Sequence, residues 1–518
     1  MTDLLSRPTH PAAGAVPSGS PVARLWRDRR TRAAVAVLAC AVAGWLSALG
    51  MPRGPQRPGD VVVTILTGAA VGFLTGFALR SRWSVLVGPA VFAVAFEIGR
   101  AGVTGPSVDR PRLTVSLGVF MFVLGRVFNG LVVLAPMAIG AIYGAALARR
   151  ARGTAGHGNR LWRYGRAGLT ALVALALVAL GVLLTRPGTT APIAGADGRP
   201  LPGSVAELTR VRLGGHDQTV LIRARSAAAP VLLYLSGGPG QSDLGYTRAY
   251  MPTMEDSFVF AVWDQRGSGT SYDALDPTRT WTLDRAVSDT IELTDYLRRR
   301  FDEQKIYLFG NSWGSTLGVL AAQRRPDLFH AYIGAGQMVS QRESDQIIYR
   351  DMVDHAARTG DTGLAEKLRA WGEPPYRDRY AYVNQIEYYD RIGPYDKTDW
   401  YTSHRPAGLD GNGVSEYGPL DKVNKLKALF DMAWVMYPQL QTVDFRRDAP
   451  ALSIPVYLIQ GAHELRGRLQ PAREWYEALA APHKEWITFE KSGHIPQFEE
   501  FSRFQRTLTE VVVPQTYR

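Results

Sequence analysis

The sequence predicts a chain in two parts: an all-α membrane region, then an α/β domain built on a mostly parallel sheet wound on both faces. Three observations predict this. Five long apolar runs fill the first 190 of the 518 residues. After residue 204, short apolar runs alternate with helical patterns, the signature of βαβ units with both sheet faces covered. A G-x-S-x-G, Gly310-Asn311-Ser312-Trp313-Gly314, directly follows the apolar run Ile306-Tyr307-Leu308-Phe309, where a buried strand should turn into a helix.

Residues 1–32 are basic, and rich in Pro, Ser, Gly and Ala as far as about residue 22, so this N-terminus is expected to be disordered. The apolar runs then occupy about 33–51, 60–79, 83–99, 113–148 and 167–185, each near or above the roughly 20 residues that cross hydrocarbon. A cleaved signal peptide accounts for one run, not five. The fourth run would rise roughly 54 Å as one helix, so we read 127–148 as the span and 113–125 as an interfacial or re-entrant helix, broken at Gly125-Arg126-Val127-Phe128-Asn129-Gly130. The alternative is two short spans. Glu97 and Arg126 are read as lying near a span end and at an interface.

Charge decides the orientation. Arg24, Arg27, Arg29, Arg30 and Arg32 precede the first span; Arg149, Arg150, Arg152, Arg160, Arg163 and Arg166 precede the last. Both clusters should face the cytoplasm. Five spans across 33–186 satisfy that and leave everything after residue 186 outside the cell membrane. Six would put the second cluster outside. Residues 1–190 hold 21 Arg, no Lys and five acidic residues, or +16, while the remainder carries −4. The basicity of the chain (net +12) therefore belongs to its membrane part, and a nucleic-acid partner is not implied. The lone cysteine, Cys40, falls in the first span, so the outer domain must rely on its core.

Residues 187–203 read as a linker, and 204–518 as the catalytic domain. Glu207–Leu213 and Thr219–Arg223 are expected as antiparallel edge strands. Parallel strands are expected near 231–235, 258–263, 306–310, 331–335, 455–460 and 485–489, with helices notably over 284–300 and 315–324. About 340–448 interrupts the alternation and is read as a helical cap over the pocket. Its aromatics, Tyr376, Tyr380, Tyr382, Tyr388, Tyr389, Tyr395, Trp400 and Tyr401, are read mostly as packing. Neither a metal-ligand spacing nor a phosphate-cradling G-x-x-x-x-G-K occurs, so no metal and no cofactor are expected.

A Ser on a tight strand-to-helix turn has its hydroxyl exposed, with the next backbone N–H aimed at the same point. Ser236-Gly237-Gly238-Pro239-Gly240 follows the strand-like run 231–235, and its N–H groups with that of Trp313 would form an oxyanion hole. Taken alone, that segment is an ordinary glycine-rich turn. His494 follows the run 485–489 and Glu464 the run 455–460, so a base and an acid arrive in the chain order Ser, acid, His. Asp448 is the nearest competing acid, but it precedes its strand and should emerge at the wrong end. His463 is expected to face solvent.

Ser236-Gly-Gly-Pro-Gly, Trp263-Asp264-Gln265-Arg266-Gly267-Ser268-Gly269 and Gly310-Asn-Ser-Trp-Gly-Ser315, in this spacing, resemble the proline iminopeptidase family of α/β-hydrolases over about residues 205–515. The resemblance implies Ser312 as nucleophile, His494 as base, Glu464 as acid, and Gly238 and Trp313 as oxyanion donors. It also implies a structural Arg266, for which we expect Asp264 as partner. The family usually has His where this chain has Ser236 and Asp where it has Glu464. The implied activity is a membrane-anchored serine hydrolase releasing N-terminal proline or a related residue by acyl-enzyme chemistry. Its partners would be a small peptide or acyl substrate and the lipid bilayer. Glu373 and Glu387 are candidate cap carboxylates for the substrate amine. The segment Trp371–Tyr376 looks more like general hydrolases of the family than peptidases, so an esterase or amidase is the alternative among enzymes. A catalytically silent membrane sensor or scaffold is the alternative outside them. The sequence does not indicate an oligomeric state.

Overall fold

A computed structural model describes residues 28–50, 57–101, 116–152, 160–275, 280–377, 381–382, 385 and 413–517. The chain divides into two compact units, one of membrane-type helices and one containing the α/β domain. The expected disorder of 1–22 falls outside the described residues, as do Glu387, Tyr380, Tyr388, Tyr389, Tyr395, Trp400 and Tyr401.

Five helices correspond to the five apolar runs: α1 (Arg29–Gly50), α2 (Pro58–Leu79), α3 (Ser84–Arg100), α4 (Ser116–Arg150) and α5 (Arg160–Leu184). Among the described residues, four segments are long and apolar enough to cross a membrane: Arg29–Gly50, Pro58–Leu79, Phe122–Arg150 and Ala167–Leu184. The fifth helix, α3, has 17 residues and contains Pro89. It packs along α1, where a Cβ on Gly44 would lie 2.4 Å from the Phe92 carbonyl oxygen and one on Gly99 would lie 2.8 Å from Ala48 Cβ. Helices α2 and α4 approach in the same way: Gly72 and Gly76 leave no room for a Cβ against the carbonyls of Met137 and Ala141. Small residues of this kind let backbones touch where no hydrophobic force drives helices together.

The expected break at 125–130 is absent, since α4 runs unbroken for 35 residues. The physical reason is a matter of magnitudes. A mid-helix glycine costs about 1 kcal/mol, no more than the backbone hydrogen bonds that a break would leave unmade.

The α/β domain holds an eight-stranded sheet: β1 (Val205–Leu213), β2 (His216–Ala224), β3 (Val231–Leu235), β4 (Val259–Trp263), β5 (Ile306–Asn311), β6 (Phe329–Ala335), β7 (Val456–Gly461) and β8 (Lys484–Phe489), in the order β1-β2-β4-β3-β5-β6-β7-β8. Only β1–β2 and β2–β4 pair antiparallel. Along the central strands alternate residues enter two cores. Leu233, Leu308 and Leu458 lie in one, and Leu232, Tyr234, Phe309, Ile333 and Tyr457 in the other. The principal helices of the domain are α6 (Leu283–Phe301), α7 (Trp313–Arg324), α8 (Gln341–Thr359), α9 (Thr362–Trp371), α10 (Pro419–Leu440) and α11 (Arg466–Ala478). The cap region contributes α8, α9 and α10. Helix α6 starts on a Thr282 cap and ends on Asp302 in the left-handed conformation.

Arg266 does not pair with Asp264. Its Nε donates to the Ala274 carbonyl (2.7 Å), its Nη2 to Thr280 Oγ1, and its guanidinium lies 5.3 Å from the Trp281 ring centre. Asp264 instead accepts from Ser242 Oγ and from the Thr270 N–H and hydroxyl (2.8 Å each). A flat guanidinium can stack on an indole while its donors go to a turn, so it is satisfied without a carboxylate.

The linker is docked rather than loose. Thr189 N–H donates to the Ser415 carbonyl (2.8 Å), and Thr190 Oγ1 to Glu416 Oε1 (2.8 Å). Ile193 is buried. Arg223, paired with Glu255, donates to Thr190 Oγ1 and to the Ala191 carbonyl, both at 2.7 Å. Removing it leaves part-buried Glu255 with only the longer contact to Arg248 (3.6 Å) and frees the segment, so Arg223→Ala should cost about 2 kcal/mol. Limited proteolysis of the purified protein should cut 187–203 several-fold faster in the variant than in the wild type.

Candidate active site

The parallel strands end at one edge of the sheet, and the expected site residues follow those ends. Strand β5 delivers Ser312, which has φ 53° and ψ −121°. A non-glycine residue in such a conformation costs on the order of 1–3 kcal/mol and persists only where its surroundings force it. Here they do. A Cβ on Gly310 would lie 2.4 Å from the Gly314 carbonyl oxygen, and one on Gly314 would lie 2.0 Å from that of Leu235. The first turn of α7 therefore sits directly on β3 and β5, and the chain can reverse only at Ser312. The Ser312 N–H donates to the Ala335 carbonyl (3.0 Å), and its own carbonyl accepts from Ser315 Oγ (2.5 Å).

Beyond β7 and β8 lie the acid and the imidazole. His494 Nδ1 is 2.5 Å from Glu464 Oε2. Glu464 is buried, its Oε1 accepts from the Leu465 N–H (2.7 Å), and Arg468 Nη1 is 3.6 Å away. Burial pushes this carboxyl upward. The opposing attraction of His494 and Arg468, with the Leu465 N–H, outweighs it and brings the group down to about 2. The carboxylate is thus charged at any physiological pH and fixes which imidazole nitrogen faces it. The longer acid is accommodated by a short loop: Glu464 lies three residues past β7, and its N–H bonds back to the Gly461 carbonyl (3.1 Å). The two loops are joined main chain to main chain, Ala462 N–H to Phe489 O (2.8 Å) and His463 N–H to Ser492 O (2.9 Å). His463 is half-buried, where exposure was expected. Asp448 lies before β7 and pairs with Arg447 (2.7 Å), away from the imidazole.

The glycine-rich loop after β3 carries Gly238 with φ 117°. Its neighbour Gly237 is near enough to Ser312 that a Cβ there would lie 3.4 Å from the serine's own. Trp313 opens α7, so its N–H has no partner within the helix. Ser236, which stands where the family usually has His, is buried, and among the described residues its hydroxyl finds no hydrogen-bond partner. Bracing comes from two residues to which the sequence reading assigns no role at the site. Gln265 donates to the Ser236 carbonyl (3.2 Å) and accepts from Trp313 Nε1 (2.8 Å), so it joins the loop after β3 to the start of α7. Asp243 accepts from the Gly237 N–H (3.3 Å), Gln241 Nε2 (2.5 Å) and Tyr234 OH (2.8 Å). Gln265 lies inside the motif that carries the resemblance, so a signal exists. Asp243 has none in its immediate sequence.

Asn311 is a further site residue that the motif alone does not single out. Its amide donates to the carbonyls of Ala335 (3.1 Å) and His494 (3.2 Å), which ties the serine strand to the histidine loop. Gly336 fills the space beneath the imidazole: it has φ 52°, and a Cβ there would lie 2.6 Å from His494 O and 2.8 Å from its Nδ1. Glu373 is exposed on the cap. Among the described residues, no three His, Cys, Asp or Glu side chains come together as a metal site requires.

Residues 230–501 match the family model described as the alpha/beta hydrolase fold, more than half the chain. The chain belongs to the α/β-hydrolase fold family. Among curated relatives it is similar to a probable aminopeptidase, YbaC, of Bacillus subtilis (strain 168), at 30% identity over 60% of this chain and 97% of that one. It is also similar to a proline iminopeptidase of Clostridium botulinum (strain Hall), at 23% identity over 54% of this chain and 87% of the relative. Among solved structures, a proline iminopeptidase-related protein of Thermus thermophilus aligns at 18% identity and TM-score 0.44, covering 60% of this chain and 98% of that one. This hydrolase domain thus has relatives named for aminopeptidase activity along nearly their whole length.

Gly336→Ala should displace His494 and leave the sheet intact. We expect turnover of a reporter ester to fall by at least about 100-fold, comparable with losing a general base, while the thermal midpoint moves by only a few degrees.

Proposed function

We propose that this protein is a membrane-anchored serine hydrolase that cleaves a small peptide or acyl substrate through an acyl-enzyme, with aminopeptidase activity on an N-terminal proline or related residue. The observation that carries the reading is the strained Ser312 turn lying at the same sheet edge as the His494–Glu464 hydrogen bond. The names of the curated relatives support the peptidase part.

In this mechanism, His494 takes the Ser312 proton as Oγ attacks the substrate carbonyl carbon. Glu464 holds the Nδ1 proton in place and stabilises the imidazolium that forms. The N–H groups of Gly238 and Trp313 stabilise the oxyanion, a contribution of about 3 kcal/mol for each well-placed donor. His494 then gives the proton to the leaving group, and water repeats the sequence to release the acyl group. No residue of this path requires a metal or a cofactor.

Anchoring is read from the four segments long and apolar enough to cross a membrane, with α3 packed against α1 as a fifth crossing. Five crossings with cytoplasmic arginine clusters put the hydrolase domain outside the cell.

Two experiments test this reading. A fluorophosphonate probe should label the wild-type protein, and Ser312→Ala should abolish labelling and reduce turnover by about 10³-fold or more. Labelling that persists in the variant rejects the nucleophile. On a substrate panel, proline-terminated amides should be preferred to long-chain esters. Turnover of short-chain esters alone would leave an esterase, and no turnover with no labelling would leave a silent scaffold.

Orientation has its own test. Cys40 is buried in α1, so a cysteine placed at exposed Ala227 should be the site that a membrane-impermeant maleimide reaches. We expect Ala227→Cys to label on intact cells. Labelling only after permeabilisation reverses the orientation.

A further inference from the structure

The docked linker lies on the segment that leads into cap helix α10. Thr189 N–H donates to the Ser415 carbonyl (2.8 Å), and a Cβ on Gly188 would lie 1.9 Å from the Glu416 carbonyl oxygen. The Arg186 carbonyl presses on Gly418 in turn, where a Cβ would lie 2.5 Å from its oxygen. Glu416 is a buried carboxylate whose Oε1 accepts from Thr190 Oγ1 (2.8 Å) and from Arg248 Nε (2.9 Å). The linker is thus seated main chain against main chain on residues 415–418. Tyr417, inside that segment, is buried and reaches the loop after β3. Its hydroxyl lies 2.6 Å from Ser242 Oγ and accepts from the Gly245 N–H (3.0 Å). Ser242 gives its own proton to Asp264, so in this contact Tyr417 is the donor. Beside Ser242 is Asp243, which accepts from the Gly237 N–H (3.3 Å), one residue before the Gly238 donor. Helix α10 touches the same loop again at Gly240, where a Cβ would lie 2.5 Å from Met432 Cβ and 2.7 Å from the Ala428 carbonyl oxygen.

We infer that Tyr417 is a positioning residue that couples the linker to the oxyanion loop: the linker's seat on 415–418 holds Tyr417, and Tyr417 holds the loop that presents the Gly238 N–H. The inference rests on the serine-hydrolase reading above, which gives Gly238 its role. The loop needs such support. Gly237, Gly238 and Gly240 leave its backbone free to adopt many conformations, with φ of 117° at Gly238 and 92° at Gly240, so its geometry must be imposed by what packs on it. An oxyanion donor works only when it is already aimed at the developing charge, and a misplacement of about 1 Å can cost on the order of 100-fold in rate. Tyr417 supplies two hydrogen bonds to that loop from a segment that the linker fixes on its other side. The linker is therefore a working part of the hydrolase domain as well as a connection to it.

The test uses the full-length protein in detergent, with the rate of fluorophosphonate labelling and the hydrolysis of p-nitrophenyl acetate, counted per labelled serine so that unfolded protein does not enter. Tyr417→Phe keeps the ring and removes both hydroxyl bonds. We expect labelling and kcat to fall about tenfold, with KM within about twofold of wild type. Thr190→Val releases Glu416 from the linker side and leaves the loop untouched, and should lower both rates about threefold. In the double variant the loss should be no greater than in Tyr417→Phe alone, because the two residues lie on one route. A merely structural Tyr417 lowers the thermal midpoint and leaves the rates per labelled serine unchanged, which overturns the inference. A rise in KM at constant kcat also overturns it, as do losses that multiply in the double variant. If the ester is not hydrolysed, the labelling rates alone decide. If Tyr417→Phe does not fold, Gly188→Ala takes its place by wedging the linker off Glu416: slower labelling supports the inference and unchanged labelling overturns it. Absence of labelling in the wild type removes the serine reading and this inference with it, whereas normal wild-type labelling that Tyr417→Phe leaves unchanged removes this inference alone.

Discussion

The contact between the Gly314 backbone and the Leu235 carbonyl governs the site. Helix α7 can start where it does only because nothing projects from Gly310 or Gly314, and a Cβ at either would lie 2.4 Å or less from a carbonyl oxygen. That approach compresses the reversal into one residue, and Ser312 takes the positive φ that results. The consequences run outward. The serine strand is tied to β6 by the Ser312 N–H, Asn311 ties it to the histidine loop, and Trp313 is held through Gln265 to the loop after β3. The strain stored at one residue is thus offset by parallel-strand pairing and by hydrogen bonds that converge on the turn.

Beneath this edge lies an unusually polar support. Asp243 and Asp264 are both fully buried, and burial raises both, Asp264 to about 6, against the hydrogen bonds each accepts. Lys425 of α10 lies between the rings of Tyr417 and Tyr246, 5.0 and 5.5 Å from their centres, in the field of the same two carboxylates. Asp264 is stabilised in its protonated form relative to the unfolded chain. Its contribution to stability is therefore full at pH below about 4 and diminishes as pH rises through about 6. Glu464 works in the other direction: its contribution is present above about pH 4.5 and is lost as pH falls through about 2. The site is assembled from groups whose preferences oppose each other, which narrows the pH range over which it is well formed.

The sheet was legible because its signal is local. Buried parallel strands read as apolar runs, and the strand ends then dictate which loop carries which residue. The places of Ser312, Glu464 and His494 followed from the strands that deliver them. Asp243, Asn311 and Gly336 were not legible, because their roles arise between loops distant in sequence: Asn311 reaches His494 across 183 positions. The expected Asp264–Arg266 pair failed for a related reason. Proximity in sequence suggested an ion pair, but the tight turn sends the two side chains to different partners, a hydroxyl-rich loop and an indole. The break expected in α4 failed because it was inferred from length against a bilayer, and a helix of 35 residues can extend beyond that length without breaking.

Replacing the family's usual Asp by Glu464 lengthens the acid by one methylene, and the loop answers it. Two main-chain hydrogen bonds join the acid loop to the histidine side, and Gly461 is pressed so closely on Ser492 and Gly493 that a Cβ there would lie 2.1 Å from the Gly493 carbonyl oxygen. The separation of Glu464 and His494 is therefore fixed by backbone contact, and the side chain must match it. A retracted loop with a long acid meets that requirement, and it leaves the first turn of α11 close enough for Arg468 to reach the same carboxylate. A shorter acid on this loop would keep its charge and lose the 2.5 Å contact to His494, since the joined loops cannot slide together to restore it. The length of Glu464, the brevity of its loop and the position of Arg468 are one solution to a single geometric constraint.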